Sequence, residues 1–185
     1  MSRTSARLRW VVVCLLLFVA PMLQAQNWQD RFELSVLAGG MITDDAVRLD
    51  GHAELISLAR SFGPEHVVEF ELGQDRLDFG VDYGLTHDFA AVNYLQVNRE
   101  PLWDPYILIG AGISRFEAPA AIRSGEDPFL QVGLGGQWDL LESGKLKLRA
   151  DLRFRYDFND TGQPGQDGFG DAIFTVGLSL PFGSD

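Results

Sequence analysis

Residues 145–158 read Lys-Leu-Lys-Leu-Arg-Ala-Asp-Leu-Arg-Phe-Arg-Tyr-Asp-Phe, and their alternation decides the fold. Every even position is apolar: Leu146, Leu148, Ala150, Leu152, Phe154, Tyr156 and Phe158. Every odd position is charged: Lys145, Lys147, Arg149, Asp151, Arg153, Arg155 and Asp157. A period of two is a β-strand with chemically opposite faces. Half-buried strands of soluble proteins alternate as well, so the period is not enough. The deciding contrast is one face wholly charged against another that is large and aromatic. It is sustained over the ~9–11 residues a tilted strand needs to cross a bilayer. The stretch predicts a transmembrane β-barrel strand.

Cost assigns the faces. Turning the odd face to lipid would put Arg149 and Arg153 near mid-bilayer at ~2–4 kcal/mol each. Turning it inward gives these arginines Glu69, Glu71 and Asp151 as partners, with Glu33 a further candidate. The charged face is therefore the lumen. That inversion separates the chain from a lipocalin-like barrel, which is apolar inside. Leu148 is expected to face lipid near mid-depth.

Similar segments recur on both sides, punctuated by Gly, Asp, Asn and Pro as in an antiparallel meander. Eight strands are expected. They cover about 31–39, 52–61, 66–74, 85–97, 105–116, 128–138, 145–158 and 170–182. The third sets Val68, Phe70 and Leu72 against Glu69, Glu71 and Gly73. The second and fourth do not separate into two faces by sequence. The fold expected is all-β: an eight-stranded, antiparallel, up-and-down transmembrane barrel. Trp28, Trp103 and Trp138 fall at one end and form a candidate aromatic girdle. Tyr83, Phe116, Phe129, Tyr156, Phe158 and Phe169 are assigned to the opposite rim. Outer loops are expected near 40–51, 75–84, 117–127 and 159–168. Their many Asp and Glu residues either share divalent cations with lipopolysaccharide phosphates or keep the loops solvated.

Residues 1–25 have the pattern of a secretory signal. Arg3, Arg7 and Arg9 precede the apolar run 10–20, and Leu23-Gln24-Ala25 offers a cleavage site. The run is short for a membrane-spanning helix. Residues 26–185 are then one barrel domain. The single cysteine, Cys14, leaves with the signal, so no disulfide is expected. Removing three arginines takes the formal charge from −11 to −14. Such acidity argues against a nucleic-acid partner.

Two segments carry a resemblance. Pro105-Tyr106-Ile107-Leu108-Ile109-Gly110-Ala111-Gly112 resembles the PYxLxGAG strand of OmpA-like outer-membrane barrels. Residues 148–158 resemble the LRADxRxRYDF strand of the same family. The end, Thr175-Val176-Gly177-Leu178-Ser179-Leu180-Pro181-Phe182, is similar to the outer-membrane assembly signal, with Thr175, Gly177, Leu180 and Phe182 at its characteristic positions. The resemblance implies recognition by the barrel-insertion machinery and a place in the outer membrane among its lipids and lipopolysaccharide. Many members continue into a peptidoglycan-binding domain. This chain ends three residues after Phe182, so that role is not expected here. Pro181, which has no N–H, is expected just below the last paired residue.

The candidate site is a lumenal polar network of Glu69, Glu71, Arg149, Asp151, Arg153 and Arg155. It reads either as a charge-compensated core or as a narrow ion path. An outer-membrane lipid deacylase would need His and Ser two apart with an acidic partner. His52, His66 and His87 lack that pattern, and His87-Asp88 is an isolated pair, so no enzyme, cofactor or metal is expected. The reading carried forward is a structural, envelope-integrity barrel, monomeric, with a mostly plugged lumen. A small channel, a lipid-modifying enzyme and a soluble binder remain as alternatives.

Overall fold

The computed structural model describes residues 31–43, 50–78, 84–117, 126–141, 143–158 and 168–183. They form eight strands: β1 (Arg31–Thr43), β2 (Asp50–Ser61), β3 (His66–Asp78), β4 (Gly84–Val97), β5 (Asp104–Glu117), β6 (Glu126–Asp139), β7 (Lys147–Asp157) and β8 (Phe169–Gly183). Each pairs antiparallel with its sequence neighbours, and β8 closes on β1. Closure leaves no sheet edge, so backbone N–H and C=O groups are satisfied without water. The expected signal at residues 1–25 and Trp28 lie outside the described residues.

The strands are staggered. Pairing followed once around the barrel runs Phe32, Arg60, Val68, Tyr94, Ile109, Val132, Phe154, Ala172 and back to Ile42, ten residues along β1 from its start. A closed barrel needs such a stagger because its strands tilt. One end carries short turns. Phe62 N–H donates to His66 O at 2.8 Å, Asn98 N–H to Pro105 O at 2.8 Å, and Leu140 N–H to Leu146 O at 2.9 Å. Gly144 takes φ +64°, a left-handed conformation that costs glycine nothing.

The faces follow the sequence reading on β7: Arg149, Asp151, Arg153, Arg155 and Asp157 are buried, while Leu152, Phe154, Tyr156 and Phe158 are exposed. The two ambiguous strands resolve. Ala53, Leu55, Ser57 and Ala59 of β2 point inward, as do His87, Phe89, Ala91, Asn93, Leu95 and Val97 of β4. Outside, Val36, Ile56, Phe70, Val92, Ile109, Val132, Leu152 and Phe174 belong to an exposed apolar belt. Water would not tolerate a belt this continuous, and acyl chains would.

Several expectations change. Strand β3 runs through Asp78 and so takes Asp75 out of the proposed loop and into the lumen. Phe129, assigned to the rim, points inward at 1% exposure and stacks edge-on against Phe89 with centroids 6.1 Å apart. Tyr156 and Phe158 do lie on the outside at that end, 5.0 Å apart. Pro181 is inside the ladder, opposite Glu33. Pairing of β8 with β7 stops at Ser179, so Pro181 has a strand on one side only and its missing donor is tolerated. Trp103 and Trp138 do meet at the turn end, stacked at 5.3 Å over Gly136.

Leu148 is not at mid-depth. It pairs with Trp138 beside the turns, and Leu152 takes the middle of the belt. An arginine at Leu152 should therefore cost ~2–4 kcal/mol, and one at Leu148 about 0–1 kcal/mol. Urea unfolding of both variants in lipid vesicles checks this order; equal losses would mean the depth assignment is wrong.

Candidate functional site

The lumen is narrow, and its geometry begins with which residues leave room. An eight-stranded barrel is only wide enough for its own side chains. Large inward groups consequently face glycines on neighbouring strands. A Cβ at Gly135 would lie 2.6 Å from the Tyr106 ring, one at Gly112 2.4 Å from Phe129, and one at Gly110 1.9 Å from the Asn93 amide oxygen. The alternating glycines of β5 and β6 are the negative image of the groups they admit.

Strand β7 supplies the cations, and β3 supplies most of their counterions. Arg149 and Glu69 are both 0% exposed and form an ion pair. Arg149 Nη2 also donates to Asp151 Oδ2 at 3.1 Å, and its Nε donates to the Tyr106 hydroxyl at 2.8 Å. Tyr106 in turn donates to Asp151. Ser57 Oγ donates to Glu69 Oε2 at 2.8 Å, and Asn93 Nδ2 to Glu69 Oε1 at 3.1 Å. Arg153 pairs with Glu71 and, at 2.5 Å, with Asp151. Gln131 Nε2 completes this layer by donating to Asn93 Oδ1 at 2.7 Å.

The next layer toward the loops differs from the expected network. Arg155 does not reach Glu69 or Glu71; it pairs with Asp75 and lies over the rings of Phe89, at 4.1 Å, and Phe129, at 4.7 Å. Beyond it Asp157 accepts from Ser114 Oγ at 3.1 Å and lies beside Asp171. At the opposite end Glu33 pairs with Gln137 instead of an arginine, and Lys147 donates to Asp104 at 2.7 Å.

Thus the six site residues expected from sequence do lie in one lumen, with Asp151 joining Arg149 to Arg153. Reading missed Asp75, Tyr106 and Asn93, and left Gln131, lumenal by the alternation of its strand, out of the network. Asp75 shares the parity of Glu69 and Glu71, so extending that strand by one inward step would have found it. Asn93 required the register of β4, which no local pattern gives. Thr175 and Gly177 face inward, and Leu180 and Phe182 outward. Of the histidines, His66 meets the Tyr94 hydroxyl at 2.6 Å near the turns, His87 is lumenal, and His52 is exposed on β2. His87 and Asp88 project to opposite sides of the wall and cannot act as a dyad.

Two chemical consequences follow. Arg149 and Tyr106 floor a cavity of about 830 Å³ that opens between the turns, walled by Val67, Leu95 and Val97 on one side and Gln137 and Lys147 on another. Polar atoms of both kinds are also left over: the acceptors Glu71 Oε1, Asp75 Oδ1 and Gln131 Oε1 and the donors Arg153 Nε and Arg155 Nε are buried without a partner among the described residues. The column is a packed plug of ion pairs with a few unpaired polar atoms of both kinds.

No protein-family model matches the chain, and no curated protein is similar to it in sequence. Solved structures are similar in fold. Neisserial surface protein A aligns at TM-score 0.68 and 11% identity, over 82% of this chain and 97% of that one. The N-terminal β-barrel domain of Pseudomonas aeruginosa OprF aligns at 0.57 and 14%, over 83% and 98%. The outer membrane enzyme PagL aligns at 0.56 and 13%, over 81% and 99%. The chain thus has the fold of the small eight-stranded outer-membrane barrels. That fold serves a surface protein and an enzyme alike, so it does not choose between them.

Removing one member of a buried pair strands the others. Arg153→Met should cost about 3–5 kcal/mol, because Glu71 and Asp151 lose their shared cation. Adding Glu71→Leu should recover part of that loss. Urea midpoints of the single and double variants measure it; an unaltered midpoint in Arg153→Met would exclude the column as a stabilising unit.

Proposed function

We propose that the chain is an OmpA-like structural protein of the bacterial outer membrane, a monomeric and non-enzymatic barrel that strengthens the envelope. The observation that carries this reading is the filled lumen. Arg149, Glu69, Asp151, Arg153 and Glu71 are buried, mutually paired and stacked across the bore. A substrate or a stream of hydrated ions would have to break several buried pairs at once, each costly to open. The apolar belt, the signal-like residues 1–25 and the likeness to outer-membrane barrels support the location. Lipids and lipopolysaccharide are its surroundings, and Thr175, Gly177, Leu180 and Phe182 form the signal offered to the barrel-insertion machinery.

A small channel is the second reading, favoured by the turn-end cavity and the spare acceptors Glu71 Oε1 and Asp75 Oδ1. The two readings separate in planar bilayers. The native barrel should show no steady conductance, and outer-membrane fractions should give a heat-sensitive, faster-migrating band on detergent gels. A steady ohmic conductance that shifts in Arg153→Met would replace the structural reading with the channel.

A further inference from the structure

The outside of the barrel is not uniform. On β1, β7 and β8 outward positions stay apolar close to the loop end, through Ile42, Phe154, Tyr156, Phe158, Phe174 and Ala172. On β2, β3 and β4 the apolar positions stop early, at Ile56, Leu72 and Ala90. The next outward positions are Glu54 and His52, then Gln74 and Arg76, then Asp88 and Thr86. These strands are consecutive and in register: Glu54 lies opposite Gln74, Gln74 opposite Asp88, and Asp88 opposite Arg115 of β5. Allowing for the stagger, Glu54 sits level with Phe154 and Phe174 across the barrel. The wall therefore turns polar first at Glu54, at a depth where the other side is still apolar, and the stagger carries Gln74, Asp88 and Arg115 successively nearer the loops.

The patch is organised. Arg76 donates from both Nε, at 3.1 Å, and Nη2, at 3.0 Å, to Gln74 Oε1, and Gln74 Nε2 donates to Asp88 Oδ1 at 2.8 Å. The relay holds Arg76 along the wall with donor capacity left over. Arg115 makes no ion pair or hydrogen bond among the described residues. Arg76 and Arg115 stand two strands apart, about 10 Å by strand spacing.

We propose that this face of β2–β5 binds the headgroup of a phosphorylated glycolipid in the outer leaflet, which dips along the wall to meet it. The inference rests on the outer-membrane reading above. The chemistry is complementary. Two guanidinium groups suit phosphate oxygens. Glu54 and Asp88 accept from sugar hydroxyls, which a headgroup carrying phosphate alone would not offer. A lipid can follow the lowered edge of the belt, which a bilayer otherwise meets by thinning. Among the described residues no cation pairs with Glu54, so leaving it against acyl chains would be costly.

The test uses native mass spectrometry of the folded barrel released from micelles, with lipid A or phosphatidylglycerol added in parallel. The native protein should retain lipid A. The Arg76→Gln, Arg115→Gln double variant should bind it at least about tenfold more weakly. Arg60→Gln, on the outward side near the turns, should match native, and phosphatidylglycerol should be indifferent to all three. Equal lipid A retention by the double variant overturns the proposal. So does equal loss of phosphatidylglycerol, which would mean general attraction of anionic lipid. A mass of two chains that disappears in the double variant overturns it too, by assigning the face to a second copy. Each variant is first checked for the heat-sensitive gel band. Absence of that band in native protein would break the membrane reading itself and not the lipid site.

Discussion

Arg149 has no solvent to turn to, and the interior of the barrel is arranged around that fact. Its guanidinium must find every acceptor within the wall, and it does so on Glu69 of β3, Asp151 of its own strand and Tyr106 of β5. These contacts reach across the bore and tie non-adjacent strands. The backbone ladder alone joins each strand only to its two neighbours. Buried ion pairs contribute little net stability against well-packed apolar groups. Their effect is on specificity, because only one register of β3 against β7 brings the charges together.

The same narrowness links the polar and apolar parts of the interior. Phe129 and Phe89 meet edge to face with Arg155 against both rings, and each needs a glycine on the neighbouring strand, Gly112 and Gly73 respectively. A charged lumen and aromatic packing are therefore not separate layers. The aromatic faces stabilise the cation that Asp75 neutralises. Toward the turns Ala59, Val67 and Val97 line the bore on one side, and it widens into the cavity that Lys147 and Gln137 wall on another.

Much of this was legible because the code is simple where one face meets lipid and the other meets charge. Strand β7 reads directly, and β8 nearly so, since each outward position from Ala172 to Phe182 is apolar. Strands β2 and β4 did not read, and the structure explains why. Their inward positions are mostly small or apolar, such as Ala53, Leu55, Ala91 and Leu95, while their outward positions turn polar near the loops. With both faces mixed, alternation loses contrast, and only pairing with β1, β3 and β5 fixes the register. Phe129 misled for the related reason that an aromatic near a strand end fits a girdle or a lumen equally well.

By itself the sequence determined the fold class, the number of strands, the sense in which the barrel is turned and most of the charges that must be inside. Alternation and the cost of a charge in hydrocarbon are local properties, present in a single strand. The tertiary structure alone decided which arginine meets which carboxylate, that Asp75 and not Glu71 serves Arg155, and that Leu152 and not Leu148 lies at mid-depth. It also placed Glu54 of β2 level with Phe154 and Phe174 across the barrel. Those facts depend on the ten-residue stagger accumulated around eight strands, and a stagger is a property of closure that no strand carries alone.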